Sequence, residues 1–505
     1  MKKRYFAKLF ANCTGLLIGL VTQMLIPRGL GPKIYGDFEF LSNFFSQVVS
    51  FLEMGTSVAF YTKLSQRPKE FGLVAFYIRV VGLLAGLVFI FVGCCQISGA
   101  YIKLWPDQKL FYVYLAAIWG IFTFFVNVVS KMADAYGMTV STEIAKIIQQ
   151  VIGLVIILVL YGTNELNLIS FFFYHYFIFL LIGLCFLFIF KKYGFPFFKN
   201  WKLSLGQLKG YVKEFYTYSH PLVFYSIAGL LVGIFDRWLL QCFSGSVQQG
   251  FFGLSYKIGA ICFLFTSAMT PLITREFSIA FQQEAYSEMA RLFRRFIPML
   301  YSISSYFACF IALEADKVTV IFGGNEFCQA ILPVTIMAFY PIHQTYGQLS
   351  GSVFLAAGRT RLYSNIGVFF LVIGIPVTWF LVGPVDKMGL NMGATGLALK
   401  MVIIQFLSTN TKLWFNARYL GLRFWLYMAH QGISMLTLLV LAYGAISLVR
   451  YGLRVDNSIL LSFFLDGVLY SIMVVVALYF QPIIFGLEKN DIRMVYQYLK
   501  LSKIK

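Results

Sequence analysis

The sequence predicts an all-α polytopic membrane protein with about fourteen transmembrane helices. Three observations carry this: the composition, the recurrence of long apolar runs, and the one-sided distribution of Lys and Arg. Hydrophobic residues make up 59% of the 505 residues and charged residues only 12%. Globular chains average about 45–50% apolar and about 25% charged. A soluble chain of this composition could not cover its own surface with polar groups. A spanning helix uses about 20 apolar residues, so fourteen use about 280 and leave room only for short loops. A soluble enzyme, a secreted disulfide domain and a disordered chain are excluded. A β-barrel would show weaker alternating segments of about 10 residues.

Taken in order, the apolar runs place helices at roughly 9–27, 38–62, 71–95, 110–130, 144–161, 168–190, 216–241, 250–274, 296–314, 331–356, 362–382, 393–411, 424–449 and 459–482. The run from Leu9 to Pro27 follows a basic start, as in a signal peptide. It is long, contains Asn12 and Gln23, and lacks a small-x-small cleavage site, so it reads as a retained first span. The second and tenth spans are the least apolar. They carry Asn43, Gln47 and Glu53, and His343, Gln344 and Gln348. A polar stripe on a span faces other helices or a water-filled cavity rather than lipid.

The net charge of +20 would suggest nucleic acid in a soluble protein. In a membrane protein, basic residues hold cytoplasmic loops inside. With the N-terminus in the cytoplasm, 29 of the 41 Lys and Arg fall inside and 8 outside. Arg79, Arg237, Lys257 and Lys400 lie within spans or at their ends. This asymmetry predicts an even number of spans with both termini cytoplasmic. The longest break, 191–215, interleaves six lysines with Phe195, Phe197, Phe198 and Trp201. That pattern suits a segment lying on the inner leaflet; beside a membrane it carries no nucleic-acid reading.

An internal repeat organises the spans. Arg28-Gly29-Leu30-Gly31-Pro32 closes the first, and Tyr35-Gly36-Asp37-Phe38 opens the second. Asp236-Arg237-Trp238 closes the seventh, and Gln249-Gly250-Phe251-Phe252-Gly253 opens the eighth. Ala135-Tyr136-Gly137-Met138-Thr139 similarly matches Ala356-Ala357-Gly358-Arg359-Thr360. Tight turns alone would explain each motif. Together they predict a six-helix lobe at 1–190, a basic cytoplasmic linker at 191–215, a second six-helix lobe at 216–416, and an extra helix pair with a basic tail at 417–505. Six is even, so both copies enter the membrane the same way round, as a parallel repeat. Transporters place substrate sites at repeat interfaces.

The stretch Arg28-Gly-Leu-Gly-Pro-x-x-Tyr-Gly-Asp-Phe-x-Phe, after a polar-spotted first helix, resembles the N-terminal signature of Wzx-type polysaccharide (O-antigen) repeat-unit flippases. These belong to the multidrug/oligolipidyl/polysaccharide (MOP) exporter superfamily. Asp236-Arg237, Gly250-Phe-Phe-Gly-Leu-x-Tyr-Lys257 and Ala357-Gly358-Arg359 resemble its second half. The resemblance implies alternating access by two lobes around a cationic cavity, in a bacterial inner membrane. The substrate it implies is an undecaprenyl-diphosphate-linked repeat unit of O-antigen, capsule or exopolysaccharide, moved from inner to outer leaflet. It also implies a polysaccharide polymerase and a chain-length regulator as partners, beside the membrane lipids.

A diphosphate headgroup cannot cross about 30 Å of hydrocarbon unaccompanied, so cations within spans are the first binding candidates. Arg79 lies about eight residues into the third span, roughly 12 Å from its inner end. Lys257 and Lys400 each lie about seven residues into a span, roughly 10 Å from its outer end. Arg28 and Arg237 sit near the outer ends of repeat-related helices. Each has a plainer reading as a side chain snorkelling to headgroups, and Arg237 as a partner of Asp236. Glu53, Asp236 and Asp466 are the acids that could serve a cavity or a coupling ion, H⁺ or Na⁺; ion pairing is the structural alternative. Asn43, Gln47, His343 and Gln344 are cavity polar candidates, His343 also reading as packed.

No cofactor is expected. The four histidines are far apart, no H-E-x-x-H occurs, and no G-x-x-x-x-G-K-[ST] loop is present. A lipid II flippase or multidrug/cation antiporter of the same superfamily are the alternative transporters. A membrane polymerase or glycosyltransferase is the alternative enzyme. The latter carries a sizeable outside loop with catalytic residues, whereas the longest outside loops here, 96–109 and 315–330, have only about 15 residues. A small-cation exporter would want an acidic rather than a cationic cavity.

Overall fold

The computed structural model describes residues 2–194, 203–219, 223–453 and 458–488. The linker aromatics Phe195, Phe197, Phe198 and Trp201, and the basic tail from Lys489, lie outside the described residues. Among those described, the chain is helical and contains no strand. It forms two compact units, residues 1–250 and 251–505. The division falls inside a helix, later in the chain than the 191–215 linker.

The first unit contains α1 (Lys2–Glu53), α2 (Thr56–Gln66), α3 (Phe71–Ile97), the short α4 (Tyr101–Leu104), α5 (Leu110–Ala135), α6 (Thr139–Gly162), α7 (Leu168–Lys192), α8 (Leu205–Ser219) and the start of α9 (Val223–Ile261). Within it α1 packs on α5 and α6, and α7 closes against the same two helices. Asn167 starts α7 with a capping box, accepting from Ile169 N and Ser170 N, each at 3.0 Å. On α3, Tyr77, Val81, Leu84, Val88 and Val92 are buried, while Leu83, Leu87 and Ile90 are exposed. A helix apolar on its exposed face is built for lipid. Away from its ends its backbone N–H and C=O groups pair along the helix, as hydrocarbon demands.

The second unit contains the rest of α9, then α10 (Leu264–Gln282), α11 (Tyr286–Leu313), α12 (Ala315–Gly323), α13 (Ile331–Met337), α14 (Tyr340–Ala356), α15 (Thr360–Val382), α16 (Gly393–Tyr419), α17 (Phe424–Ser447) and α18 (Ile459–Phe480). Helix α14 packs on α10, α11 and α16; α15 covers α16. The last two helices dock on α11 through Cys309, Leu438, Ala442 and Tyr470. Polar ties reinforce this. Ser302 and Ser434 hydroxyls meet at 2.9 Å, and Tyr470 Oη donates to Tyr306 O at 3.1 Å. On α18 the buried residues Ser462, Asp466, Tyr470 and Val474 recur every fourth position, the spacing of one helical face.

Nine of the described helices are long and apolar enough to cross a membrane. The remaining predicted spans fall on α1, α2, α10, α13, α14 and α16. These are interrupted or more polar. The second predicted span breaks at Met54 and Gly55, both at positive φ. The eighth breaks at Cys262–Phe263 and the tenth at Ala338–Phe339. Several spans extend further than predicted. Helix α5 runs to Ala135 rather than 130, and α16 to Tyr419 rather than 411, so Lys131 and Lys412 are helical residues rather than loop residues. The expected 315–330 loop is mostly α12 followed by a 3-10 turn at Asn325–Ala330.

The second repeat motif is reproduced turn for turn. Gly137 and Gly358 both have positive φ. Met138 N bonds Ala133 O at 2.9 Å, and Arg359 N bonds Phe354 O at 2.8 Å. Both are the six-residue closure that ends a helix on a left-handed glycine.

Candidate functional site

The most constrained part of the first unit is where α1 and α9 bend. Helix α1 is interrupted at Gly31 (φ 69°, ψ 167°) and α9 at Gly245 (φ 74°, ψ −176°). Only glycine adopts these angles without strain. Five residues beyond each bend stands a second glycine, Gly36 and Gly250. A Cβ on Gly36 would run into the Ser246 carbonyl, and one on Gly250 into the Pro32 carbonyl. The residue just after each bend thus touches the glycine of the other hairpin. This reciprocity is what two copies of one motif produce when they meet across a local two-fold.

Buried polar groups lock the seam. The Asp37 carboxylate accepts from Gln108 Nε2 at 2.6 Å and from the Ser246 hydroxyl. Gln241 Nε2 donates to Ser246 Oγ at 3.0 Å. Arg237 Nη1 donates to Gln249 Oε1 at 3.1 Å, and Gln249 Nε2 returns a bond to Arg237 O. Gln241 and Gln249 are almost wholly buried. A lost partner here would leave an unsatisfied polar group. Asp37 and Gln249 stood in the repeat motifs with no role assigned to them; Gln108, Gln241 and Ser246 were not singled out from the sequence. The signal was present only in the glycine spacing.

The bends also separate the two arginines of the repeat motif. Arg28 lies three residues before Gly31, whereas Arg237 lies eight before Gly245. They do not hold equivalent positions in the repeat. Arg28 is exposed, while Arg237 is 8% exposed and bonded into the seam.

The other named residues divide by unit. In the first, Arg79 is exposed on α3, and Asn43, Gln47, Glu53 and Asp236 are half-buried. The Gln47 carboxamide lies against Gly233 of α9. Glu53 Oε1 accepts from Ser57 Oγ at 2.8 Å, and Ser57 Oγ accepts from Lys131 Nζ at 2.6 Å. Lys131 is therefore a cation inside the bundle that the sequence placed just outside it. In the second unit, Lys257 and Gln344 are half-buried. Lys400 is 5% exposed, its aliphatic end packed on Gly374. His343 is buried, edge-on to Phe406 at 5.0 Å. Lys412 stands 4.7 Å over the Tyr363 ring, a cation–π contact. Asp466 pairs with Lys317 at 2.6 Å.

A cleft of about 820 Å³ lies between α2 and α8 in the first unit. Arg67 clamps Glu214 with two bonds, 2.8 and 3.0 Å, and Lys63 pairs with the same carboxylate at 2.9 Å. Tyr211 Oη donates to Glu70 at 2.5 Å. Bonds from Lys63, and then from Arg67, hold the Glu214 carboxyl below its ordinary value, against some desolvation. This strap ties α8 to the ends of α2 and α3. Among the described residues no cluster of three or more His, Cys, Asp or Glu has metal-holding geometry.

Residues 2–276 match the family model described as polysaccharide biosynthesis protein. The chain belongs to this family. A comparison with curated protein sequences finds no match. Among solved structures, the chain is similar to the lipid II flippase MurJ in an inward closed conformation. The identity is 10%, the TM-score 0.68, and the match covers 95% of this chain and 99% of that one. It is also similar to an inward-facing multidrug resistance MATE family transporter, with 13% identity, TM-score 0.60 and coverage of 81% and 94%. A MOP superfamily transporter from Pyrococcus furiosus, described by the reverse polarity of its binding pocket, matches with 13% identity, TM-score 0.54 and coverage of 82% and 94%. This member of the polysaccharide biosynthesis family therefore has the MOP transporter fold.

Proposed function

We propose that this protein is a lipid-linked oligosaccharide flippase. It moves an undecaprenyl-diphosphate-linked repeat unit from the inner to the outer leaflet of a bacterial inner membrane, by alternating access. The chain then has fourteen spans with both termini cytoplasmic, and the bends at Gly31 and Gly245 lie at the outer face. The observation that carries this reading is family membership joined to a fold that matches a lipid flippase over 95% of the chain. The multidrug transporter matches over 81%. The extra length accords with a substrate that carries a lipid tail.

The cost of crossing is set by the diphosphate. Cations near polar groups of the bundle lower it, and Lys131, Lys257 and Lys412 are the ones we assign to that work, with Arg79, exposed on α3 in line with Leu83 and Leu87, as the candidate nearest the inner end. Lys400, Arg28 and Arg237 rank behind them because Lys400 and Arg237 are buried in packing and Arg28 lies at a helix bend. Arg79→Gln is expected to reduce transport by about tenfold, the worth of roughly 1.4 kcal/mol, with protein abundance unchanged on a membrane blot. Unchanged transport removes Arg79 from the path. A polymerase and a chain-length regulator are the partners on this reading, and H⁺ or Na⁺ the coupling ion.

The direct test uses purified protein in liposomes loaded with a labelled undecaprenyl-diphosphate-linked oligosaccharide. A membrane-impermeant glycosidase reads which leaflet holds the sugar. Accelerated loss of the protected half supports flipping. Protection equal to that of protein-free liposomes contradicts it. The likeness to the lipid II flippase favours a second reading, in which the muropeptide-bearing lipid is the cargo; the same assay with lipid II separates the two.

A further inference from the structure

Asp466 lies on α18, in the helix pair that follows the second set of six, and is 1% exposed. Facing it are two residues at the start of α12. Glu314 precedes the helix and is 2% exposed; Lys317 stands in its first turn. Lys317 Nζ donates to Asp466 Oδ2 at 2.6 Å and lies 2.9 Å from Glu314 Oε2. One ammonium thus serves two buried carboxylates. A cavity of about 90 Å³ opens beside them, lined also by Ser462, Asp316 and Arg450. Asp316 and Arg450 are exposed, opposite in charge, and belong to the rim. Asp466 Oδ1 is buried in the wall with no hydrogen-bond partner.

The inner charges do not balance. Two carboxylates, 1% and 2% exposed, against one lysine leave one negative charge largely withdrawn from water, which is costly. One monovalent cation would cancel it. A sodium ion could reach the unpartnered Asp466 Oδ1 but would need further oxygens, and would stand within a few ångströms of the ammonium's positive charge. A proton needs only one oxygen and adds no volume.

We propose that this cavity is a proton-binding site, in which Glu314 takes one proton from water and Asp466 remains ion-paired to Lys317. No bond other than the carboxyl O–H forms, and nothing is oxidised. Desolvation pushes the Glu314 carboxyl up to about 7, although the adjacent Lys317 pulls the other way. When the proton leaves, the Lys317 ammonium must satisfy two anions and the hold of α12 on α18 changes. The site stands whatever cargo the transporter carries.

The sign follows from the raised value. Folded protein binds the proton more tightly than unfolded protein, so the added stability is present in acid. It is lost as pH rises from about 4.5 to about 7. The test is an infrared pH titration of the protonated-carboxyl band on the full-length protein in detergent, with melting temperature as a second readout. One carboxyl is expected to deprotonate near pH 7 in wild type, equally in sodium and potassium salts. The band should vanish in Glu314→Gln and shift to lower pH in Asp466→Asn, and Glu314→Gln should flatten the fall in melting temperature. A wild-type band that is absent near neutrality, or that persists in Glu314→Gln, overturns the proposal. So does a titration that sodium displaces, which would make this a metal-cation site. If Glu314→Gln does not fold, wild type and Asp466→Asn decide: no downward shift in Asp466→Asn overturns it as well.

Discussion

Two contacts within the first unit solve the same problem with different chemistry. The seam between the bends of α1 and α9 is held by close backbone approach at Gly36 and Gly250 and by buried hydrogen bonds around Asp37 and Ser246. The strap between α2 and α8 is held by half-exposed ion pairs of Lys63 and Arg67 with Glu214. The seam depends on shape: it forms fully or not at all, and one methyl group blocks it. The strap depends on charge, is screened by salt, and weakens by degrees. A transporter that alternates needs contacts that part and re-form. On the proposed alternating mechanism, the seam would set the two states and the strap would tune how often they exchange.

The sharpest way to break the comparison is Gly36→Ala or Gly250→Ala. Overpacking of this kind costs about 1–3 kcal/mol, enough to shift a two-state balance by about 5–150-fold. Transport should collapse, and a thiol reagent confined to the outer face should label Cys242, half-buried next to Gln241 of the seam, faster. Gly19→Ala, where nothing lies within 4 Å of an added Cβ, is the matched control and should transport normally. Equal effects at Gly19 and Gly36 would mean the seam is not special.

A smaller effect is expected at the strap. Exposed ion pairs contribute about 0.2–1 kcal/mol each, so Glu214→Gln should change transport by no more than several-fold. Backbone hydrogen exchange in α8 should rise, and the difference from wild type should shrink at high salt. A salt-independent effect would show that Glu214 acts through packing.

The smallest effect is that of pH on the same contact. The Glu214 carboxyl is lowered by its Lys63 and Arg67 partners. Its contribution is complete above the ordinary value of about 4.5 and is lost as pH falls through the lowered one. Exchange in α8 should therefore rise only on the acid side. A rise between neutral and alkaline pH would assign the strap to another group.

The sequence made the class and most of the helices readable, because hydrocarbon imposes length and composition directly on each span. The turn at Gly137 and its copy at Gly358 were also readable, since the left-handed cap needs glycine in both. Helix ends were less so: Lys131 and Lys412 look like loop residues until Ser57 and Tyr363 are seen to receive them. Contacts between distant residues left no local trace. Asp37 and Ser246 are 209 positions apart, and Lys317 and Asp466 are 149 apart. The motif around Gly36 signalled a turn, and only the fold shows that the glycine is there to let a second backbone in.

Transport of a lipid-linked saccharide is tested most directly in cells. The measurement is the leaflet that holds the undecaprenyl-diphosphate-linked repeat unit in a strain lacking this gene, complemented with wild type or with Gly36→Ala. Accumulation in the inner leaflet, relieved by wild type and not by Gly36→Ala, is the expected result. A repeat unit that reaches the outer leaflet without this protein, yet stays unpolymerised, would contradict flipping and place the protein at a later step.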